Sequence, residues 1–268
     1  MVTEPKYREI AEDLRNRIES NELTPGSQLP TEIELMEQYN ASRNTVRDAI
    51  KLLTTRGLVE TRAGQGTFVV EKINPFVTTL TGDPNTERGG GEQGVFVAEV
   101  KEEGRTATTT LPRVEIQQAS RVIANVLRLE EGAQIVSRHQ ERFIDGIPYS
   151  MQTSYYPMAL VLGGATKLLE ATDIKEGTVA YLATEYDVQQ VGYRDTIAMR
   201  APNENEMAFF KLPVDGRISV YEIFRVGFDQ NGERYRLTIS VYPADRNRFR
   251  INVGEVPPRG SGPSDSNE

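Results

Sequence analysis

The sequence has no cysteine and a single histidine, His139. Without thiols there can be no disulfide and no thiolate-bound metal, which fits a reducing compartment. One imidazole does not build a histidine-based metal site, so no metal and no other cofactor is expected. Long apolar runs are also missing: the longest, "MALVLGGA" at 158–165, falls far short of the roughly 20 residues that span a bilayer. No membrane contact is expected. The opening "MVTEPKYREIAEDL" is charged from its fourth residue and has no apolar signal core, so the expected location is cytoplasmic. Catalytic signatures are equally scarce. His139 has no nucleophile elbow near it, and "ERGGGEQG" lacks the lysine and Ser/Thr of a phosphate-binding loop. The chain does not read as an enzyme.

What is present is enough for two domains: 268 residues, 38% of them hydrophobic. The net charge of −8 argues at first against a polyanionic partner, but charge is unevenly placed. Residues 1–41 carry four basic and nine acidic side chains, whereas residues 42–72 carry six basic and three acidic. A focused positive patch binds phosphates while the acidic remainder limits indiscriminate binding.

That patch coincides with a helical pattern. In "YREIAEDLRNRIESNEL", Ile10, Leu14 and Ile18 recur every four residues, predicting one amphipathic helix. Pro25 and Gly26 turn the chain, and Thr31 with Glu34 forms a capping box that opens a second helix, whose buried side is Leu35, Met36 and Tyr39. Ser42 caps a third helix that runs to Gly57. Its Val46, Ala49, Ile50 and Leu53 face one way, and Arg43, Arg47 and Lys51 face the other beside Asn44. Two short helices joined by a tight turn make a helix-turn-helix. "LVETRAGQGTFVV" then predicts a β-hairpin with a glycine-rich tip just past Arg62, completing a winged helix.

A charged helical stripe alone is ordinarily a solvated face. Here it follows a capping box and a short turn and precedes a glycine-tipped hairpin, and that order points to base reading. Arg43 or Arg47 can donate two hydrogen bonds to guanine, Asn44 can pair with adenine, and Thr45 can reach a base or phosphate. Each good bidentate pair discriminates by about 1–3 kcal/mol. The candidate DNA contacts are therefore Thr31, Ser42, Arg43, Asn44, Thr45, Arg47 and Lys51, with Arg62, Gly64 and Gln65 in the wing.

Beyond residue 72, "TGDPNTERGGGEQG" reads as part of a linker over 73–94, followed by an α+β domain over 95–253 and a disordered tail over 254–268. Alternation and β-branched or aromatic content make strands of "VFVAEV", "AQIVSRHQERFI", "IPYSMQTSYYP", "TVAYLATEYDV", "ISVYEIFRVGF" and "RYRLTISVYP". "QASRVIANVL" and "NENEMAFFKL" read as helices. Asp-Gly in "FIDGIPY" and Asn-Gly in "FDQNGERYR" predict antiparallel hairpins. Arg138, Arg142, Gln152, Ser154, Tyr155, Arg225 and Tyr235 are polar groups on these strands that can line a pocket. Arg142 and Gln152 lead, since they flank one turn on paired strands. His139 reads as an ordinary strand residue.

Residues 5–70 resemble the winged-helix domain of GntR-family bacterial transcription regulators. The resemblance carries the family's DNA-reading positions onto Ser42, Arg43, Asn44, Thr45 and Arg47, and its minor-groove wing tip onto Gly64. Ile33 departs from it, standing where the family often has a base-contacting arginine. Residues 95–250 resemble the UTRA effector-sensing domain of the HutC subfamily, through "RHQERFIDGIPYSMQTSYYP" and the ending "YPADRNRF". This implies a chorismate-lyase-like fold that dimerises and binds a small molecule between sheet and helices. Members that bind phosphorylated sugars use two arginines and a glutamate on that hairpin. Arg142 matches one arginine, while Gln140 stands for the other and Gln152 for the glutamate, and Pro243 replaces an arginine common in the family's terminal motif, so a sugar phosphate is not carried over. The run ending in "RFRINVGEVPP" is also similar to actinobacterial regulators, some of which repress conjugative-plasmid transfer genes.

The expected protein is thus a homodimeric, DNA-binding regulator, a repressor by the family's habit, that binds a palindromic operator and is modulated by a small-molecule effector of unknown identity. A repressor whose second domain only dimerises is the alternative.

Overall fold

The computed structural model describes residues 5–62, 64–70, 75–80, 93–213 and 216–253. The chain divides into two compact units, Met1–Asn74 and Pro75–Glu268.

The first unit is built as its periodicity dictates. Helix α1 (Lys6–Glu19) buries Ile10, Ala11, Leu14 and Ile18. Helix α2 (Glu32–Tyr39) starts at the Thr31–Glu34 capping box and stops at Asn40, which takes a left-handed conformation with φ 45°. Helix α3 (Arg43–Thr55) is capped by the Ser42 hydroxyl and buries Val46, Ala49 and Leu53. Gly57, at φ 69°, turns the chain where an L side chain would be strained. Strands β1 (Val59–Arg62) and β2 (Gly66–Val69) pair antiparallel, and Val59 and Val69 face each other under the helices. Complete burial of a leucine or isoleucine side chain stabilises by about 1.5–3 kcal/mol. Ile10, Leu14, Leu35 and Leu53 are each fully buried and so anchor the helices on one another.

The second unit is a seven-stranded antiparallel sheet with helices on both faces, as the α+β expectation required. It opens with β3 (Phe76–Thr79), α4 (Gln93–Glu102), β4 (Ala107–Thr109), β5 (Arg113–Gln118) and α5 (Arg121–Leu127). The long hairpin of β6 (Gln134–Ile144) and β7 (Ile147–Pro157) turns on Asp145 and Gly146, both at positive φ. Helix α6 (Met158–Leu162), a 3-10 turn (Thr166–Leu169) and α7 (Thr178–Tyr186) follow. The chain closes with β8 (Gln190–Arg200), α8 (Glu204–Phe210), β9 (Val220–Asp229), β10 (Arg234–Pro243) and β11 (Asn247–Arg250). Strand order is β4-β6-β7-β10-β9-β8, with β5 also on β6. Alternation sends Ile135, Tyr155, Leu237 and Ile239 to the face covered by α5, whereas Tyr156 packs on the α6–α7 segment.

Three expectations are corrected. "VFVAEV" lies in α4, where Phe96 and Val100, four apart, are buried together as on a helix. "TVAYLATEYDV" is largely α7, which seats Tyr181 and Leu182 against Tyr156. Strand β8 was not anticipated, because as an edge strand it leaves most of its residues half-buried or exposed and shows no clean alternation. Within the segment read as a linker over 73–94, β3 is a strand of the second unit and pairs in parallel with β11, Phe76 opposite Asn247. Residues 81–92 and the 254–268 tail lie outside the described residues.

Candidate functional site

Packing of α3 through Val46, Ala49 and Leu53 leaves Arg43, Asn44, Arg47 and Lys51 exposed on the opposite side. The start of the helix is fixed by side chains. The Thr45 amide donates to Ser42 Oγ at 3.2 Å, and the two hydroxyl oxygens lie 2.7 Å apart. Thr31 performs the same task for α2: its amide and hydroxyl donate to Glu34 at 2.7 and 2.8 Å. Those two bonds, the amide's first, hold the Glu34 carboxyl below the usual carboxylate range. Thr31, Ser42 and Thr45 therefore serve first as helix caps. Exposed amides at a helix start are also where a phosphate is most readily received.

One residue that sequence reasoning missed ties this surface together. Glu32, the first residue of α2, accepts a hydrogen bond from Arg43 Nε at 2.8 Å and lies 3.8 Å from Arg47 Nε. Both base-reading candidates thus converge on one carboxylate. Ile33, the next residue, is 69% exposed, so the position that departs from the family pattern presents an apolar side chain to solvent.

The wing is similarly braced. Arg62 stacks on the Phe68 ring at 4.4 Å and pairs with Glu60 at 2.7 Å. Gly64 has φ 71° and, like Gln65, is exposed at the tip. Gln28 donates from its amide to the Gln65 carbonyl at 2.9 Å, and a Cβ at Gly66 would collide with that amide. Gln28 thereby positions the tip from outside the hairpin.

In the second unit the register puts polar residues in a row across one face of the sheet. Arg138 lies opposite Ser154, Ser154 opposite Thr238, Thr238 opposite Arg225 and Arg225 opposite Asp195. Next to this row is a cavity lined by Leu80, Gln152, Ile223, Arg225, Thr238, Ser240 and Tyr242. Of the seven expected lining residues, Gln152 and Arg225 are there. Ser154 is adjacent, bonded through its hydroxyl to Thr238 at 2.9 Å.

The others have different tasks. The Arg138 guanidinium donates to the carbonyls of Lys167, Leu168, Glu170 and Thr172 at 2.7–3.3 Å, which fixes the 3-10 turn. Burial lowers its pKa. Arg142 is buried over the Phe96 ring of α4, at 5.1 Å. Tyr155 points to the opposite face, packed under α5. Tyr235 is buried against Tyr156 and donates to Gln190 at 2.7 Å. Gln140 donates to Thr110 and Asp173. His139 lies 2.9 Å from the Thr153 hydroxyl, and burial followed by the nearby Arg113 charge lowers its pKa. Leu80, Ile223, Thr238, Ser240 and Tyr242 were missed. Thr238, Ser240 and Tyr242 lie on β10 at the alternate spacing that could have revealed them. Leu80 comes from a stretch that reads as linker.

Among the described residues there is no cluster of three or more potential metal ligands, and no helix is long and apolar enough to cross a membrane.

A cap-anchored basic helix with a braced wing, followed by a sheet domain with a small cavity of mixed polar and apolar lining, defines a DNA-binding transcription regulator with a sensing domain. The chain belongs to the GntR family: residues 6–69 match "Bacterial regulatory proteins, gntR family", and residues 102–248 match the UTRA domain. It is 30% identical over 218 residues to an HTH-type transcriptional regulator of Streptomyces coelicolor, covering 78% of each chain. It is 27% identical over 252 residues to the HTH-type transcriptional repressor NagR of Bacillus subtilis, covering 91% of this chain and 93% of NagR. A crystal structure of a GntR-family transcriptional regulator superposes with a TM-score of 0.58 at 26% identity, over 94% of this chain and 99% of the other.

Proposed function

We propose that this regulator is a cytoplasmic, homodimeric repressor that binds a palindromic operator and is modulated by a small molecule held in the cavity at Gln152. The carrying observation is the pair Arg43 and Arg47, exposed on a helix whose other side is fully packed and brought together at Glu32. Two such helices, held by paired second units, would read half-sites about one helical turn apart. Repression is inferred from the similarity to NagR, a transcriptional repressor.

Coupling has a short route along the chain. Strand β3 is the first element of the second unit, and Leu80, just after it, lines the cavity. A ligand there presses on the residue that ends the segment leading from the winged helix. Coupling in the usual range of about 1–3 kcal/mol weakens operator binding roughly 5- to 150-fold.

The test is fluorescence anisotropy on DNA from upstream of the protein's own gene, over a salt series, with Arg43→Ala and Arg47→Ala. Selective, salt-sensitive binding is expected, with a loss of about 1–3 kcal/mol of base discrimination in each variant. Equal binding by wild type and both variants would sink the reading. One observation favours the alternative of a purely dimerising second unit: Arg138 and Ser154 already have partners within the protein. A metabolite that raises the melting temperature argues against that alternative, because only a ligand preferring the native state does so.

A further inference from the structure

We infer that Asp195 sets the charge of the cavity, so that the ligand it accepts is uncharged and bears hydroxyl or amide groups, not phosphate or carboxylate. This rests on the reading of the cavity as the effector site. Arg225 is the one cationic side chain among its described lining residues. It is 6% exposed and already paired: Nε donates to Asp195 Oδ1 at 2.7 Å and Nη2 to Oδ2 at 2.6 Å.

The pair is imposed by the fold. Asp195 and Arg225 face each other in the β8–β9 register, and the Tyr193 ring stacks on the guanidinium at 3.9 Å. Nη2 also lies 3.4 Å from the Leu80 carbonyl. A planar guanidinium held in this bidentate way is fixed in place and neutralised by its partner. An anion entering the cavity would have to break that pair or sit beside a carboxylate in a poorly solvated site, and either is costly.

The remaining lining suits an uncharged ligand. Gln152, Thr238 and Ser240 offer neutral donors and acceptors, while Leu80, Ile223 and Tyr242 form an apolar wall. Asp195 is thus a positioning residue that acts through Arg225.

The test uses full-length protein with inorganic phosphate and glucose 6-phosphate as probes, at fixed ionic strength, read by thermal shift and calorimetry. Wild type is expected to be indifferent to both. Asp195→Asn releases Arg225 and should bind phosphate at least about tenfold more tightly than wild type. The gain should vanish in Asp195→Asn combined with Arg225→Gln, and Asp195→Glu should restore indifference, which a merely structural role for Asp195 would not produce. Asp195→Ser serves if the Asn variant does not fold. Saturable stabilisation of wild type by phosphate or glucose 6-phosphate, lost in Arg225→Gln, would overturn the inference. So would a folded Asp195→Asn that ignores phosphate. If a metabolite releases the operator equally in wild type, Gln152→Ala and Ser240→Ala, the effector site lies elsewhere. The phosphate titration still reads the role of Asp195 in that case.

Discussion

Glu32 is a carboxylate set against Arg43 and Arg47, the two arginines proposed to meet DNA. Its contacts with Arg43 and Arg47 are largely solvent-exposed, the arginines at 70% and 65%, and exposed pairs are worth at most about 1 kcal/mol. Binding any phosphate with these arginines means giving up the Glu32 contacts. Glu32→Gln is therefore expected to tighten binding to a non-specific duplex by up to roughly fivefold, measured by anisotropy at moderate salt. Operator selectivity should stay the same, since a gain independent of sequence raises operator and non-specific affinity by the same factor. Weaker binding by the variant would mean that Glu32 itself contacts DNA, for instance by accepting a hydrogen bond from cytosine.

Among the elements, β3 and α4 carry the clearest pH dependence. Burial pushes the Glu99 carboxyl up to about 7, against the lowering influence of hydrogen bonds from the Thr79 backbone and side chain. The repulsion of Glu102 and Glu103 adds to the rise. Glu99 Oε2 is buried without a hydrogen-bond partner. The folded-state value lies above the unfolded 4.5, so the folded protein binds this proton more tightly. The stabilisation is complete below the unfolded value and is lost as pH rises through about 7. The second unit should melt at a lower temperature at slightly alkaline pH than at slightly acid pH, and Glu99→Gln should flatten that slope. A slope unchanged in the variant would assign it to other groups.

Leu80 belongs to the same element group. It is 5% exposed and packs with Ile223 and Tyr242. Leu80→Ala should cost about 2–5 kcal/mol and raise hydrogen exchange in β3 and β11, leaving α1–α3 protected. Protection of β3 unchanged from wild type would count against Leu80 as its anchor.

These elements also mark where sequence reading stops. The caps at Thr31 and Ser42, the Asp145-Gly146 turn and the strands β6, β7, β9 and β10 all announce themselves locally, through hydrogen-bonding side chains, glycine or alternation. "VFVAEV" does not, because in six residues a helical and an alternating apolar pattern coincide. The β3–β11 pairing joins segments from opposite ends of the second unit, which no local signal reports. The site divides in the same way. The exposed arginines of α3 follow from periodicity, whereas the tasks of Arg138 and Asp195 depend on which carbonyls and cations the fold brings to them.

At the scale of the whole molecule, an acidic protein with net charge −8 must bind a polyanion through a small basic surface. Its affinity for one half-site should therefore be modest and strongly salt-dependent. If the second units pair as proposed, useful operator occupancy depends on joining two half-sites, since the second contact becomes intramolecular. This makes spacing the decisive variable. Inserting about five base pairs between half-sites turns one of them by roughly half a helical turn, to the far side of the duplex. Binding should drop to the level of a single half-site. Inserting about ten restores the face but stretches the separation by about 34 Å, so recovery measures how far the paired units can spread. Deleting residues 75–268 should abolish the spacing dependence and leave only half-site affinity, read by anisotropy on the same set of duplexes. If the spaced duplexes bind the full-length protein equally well, the paired-helix reading is wrong and each winged helix acts alone.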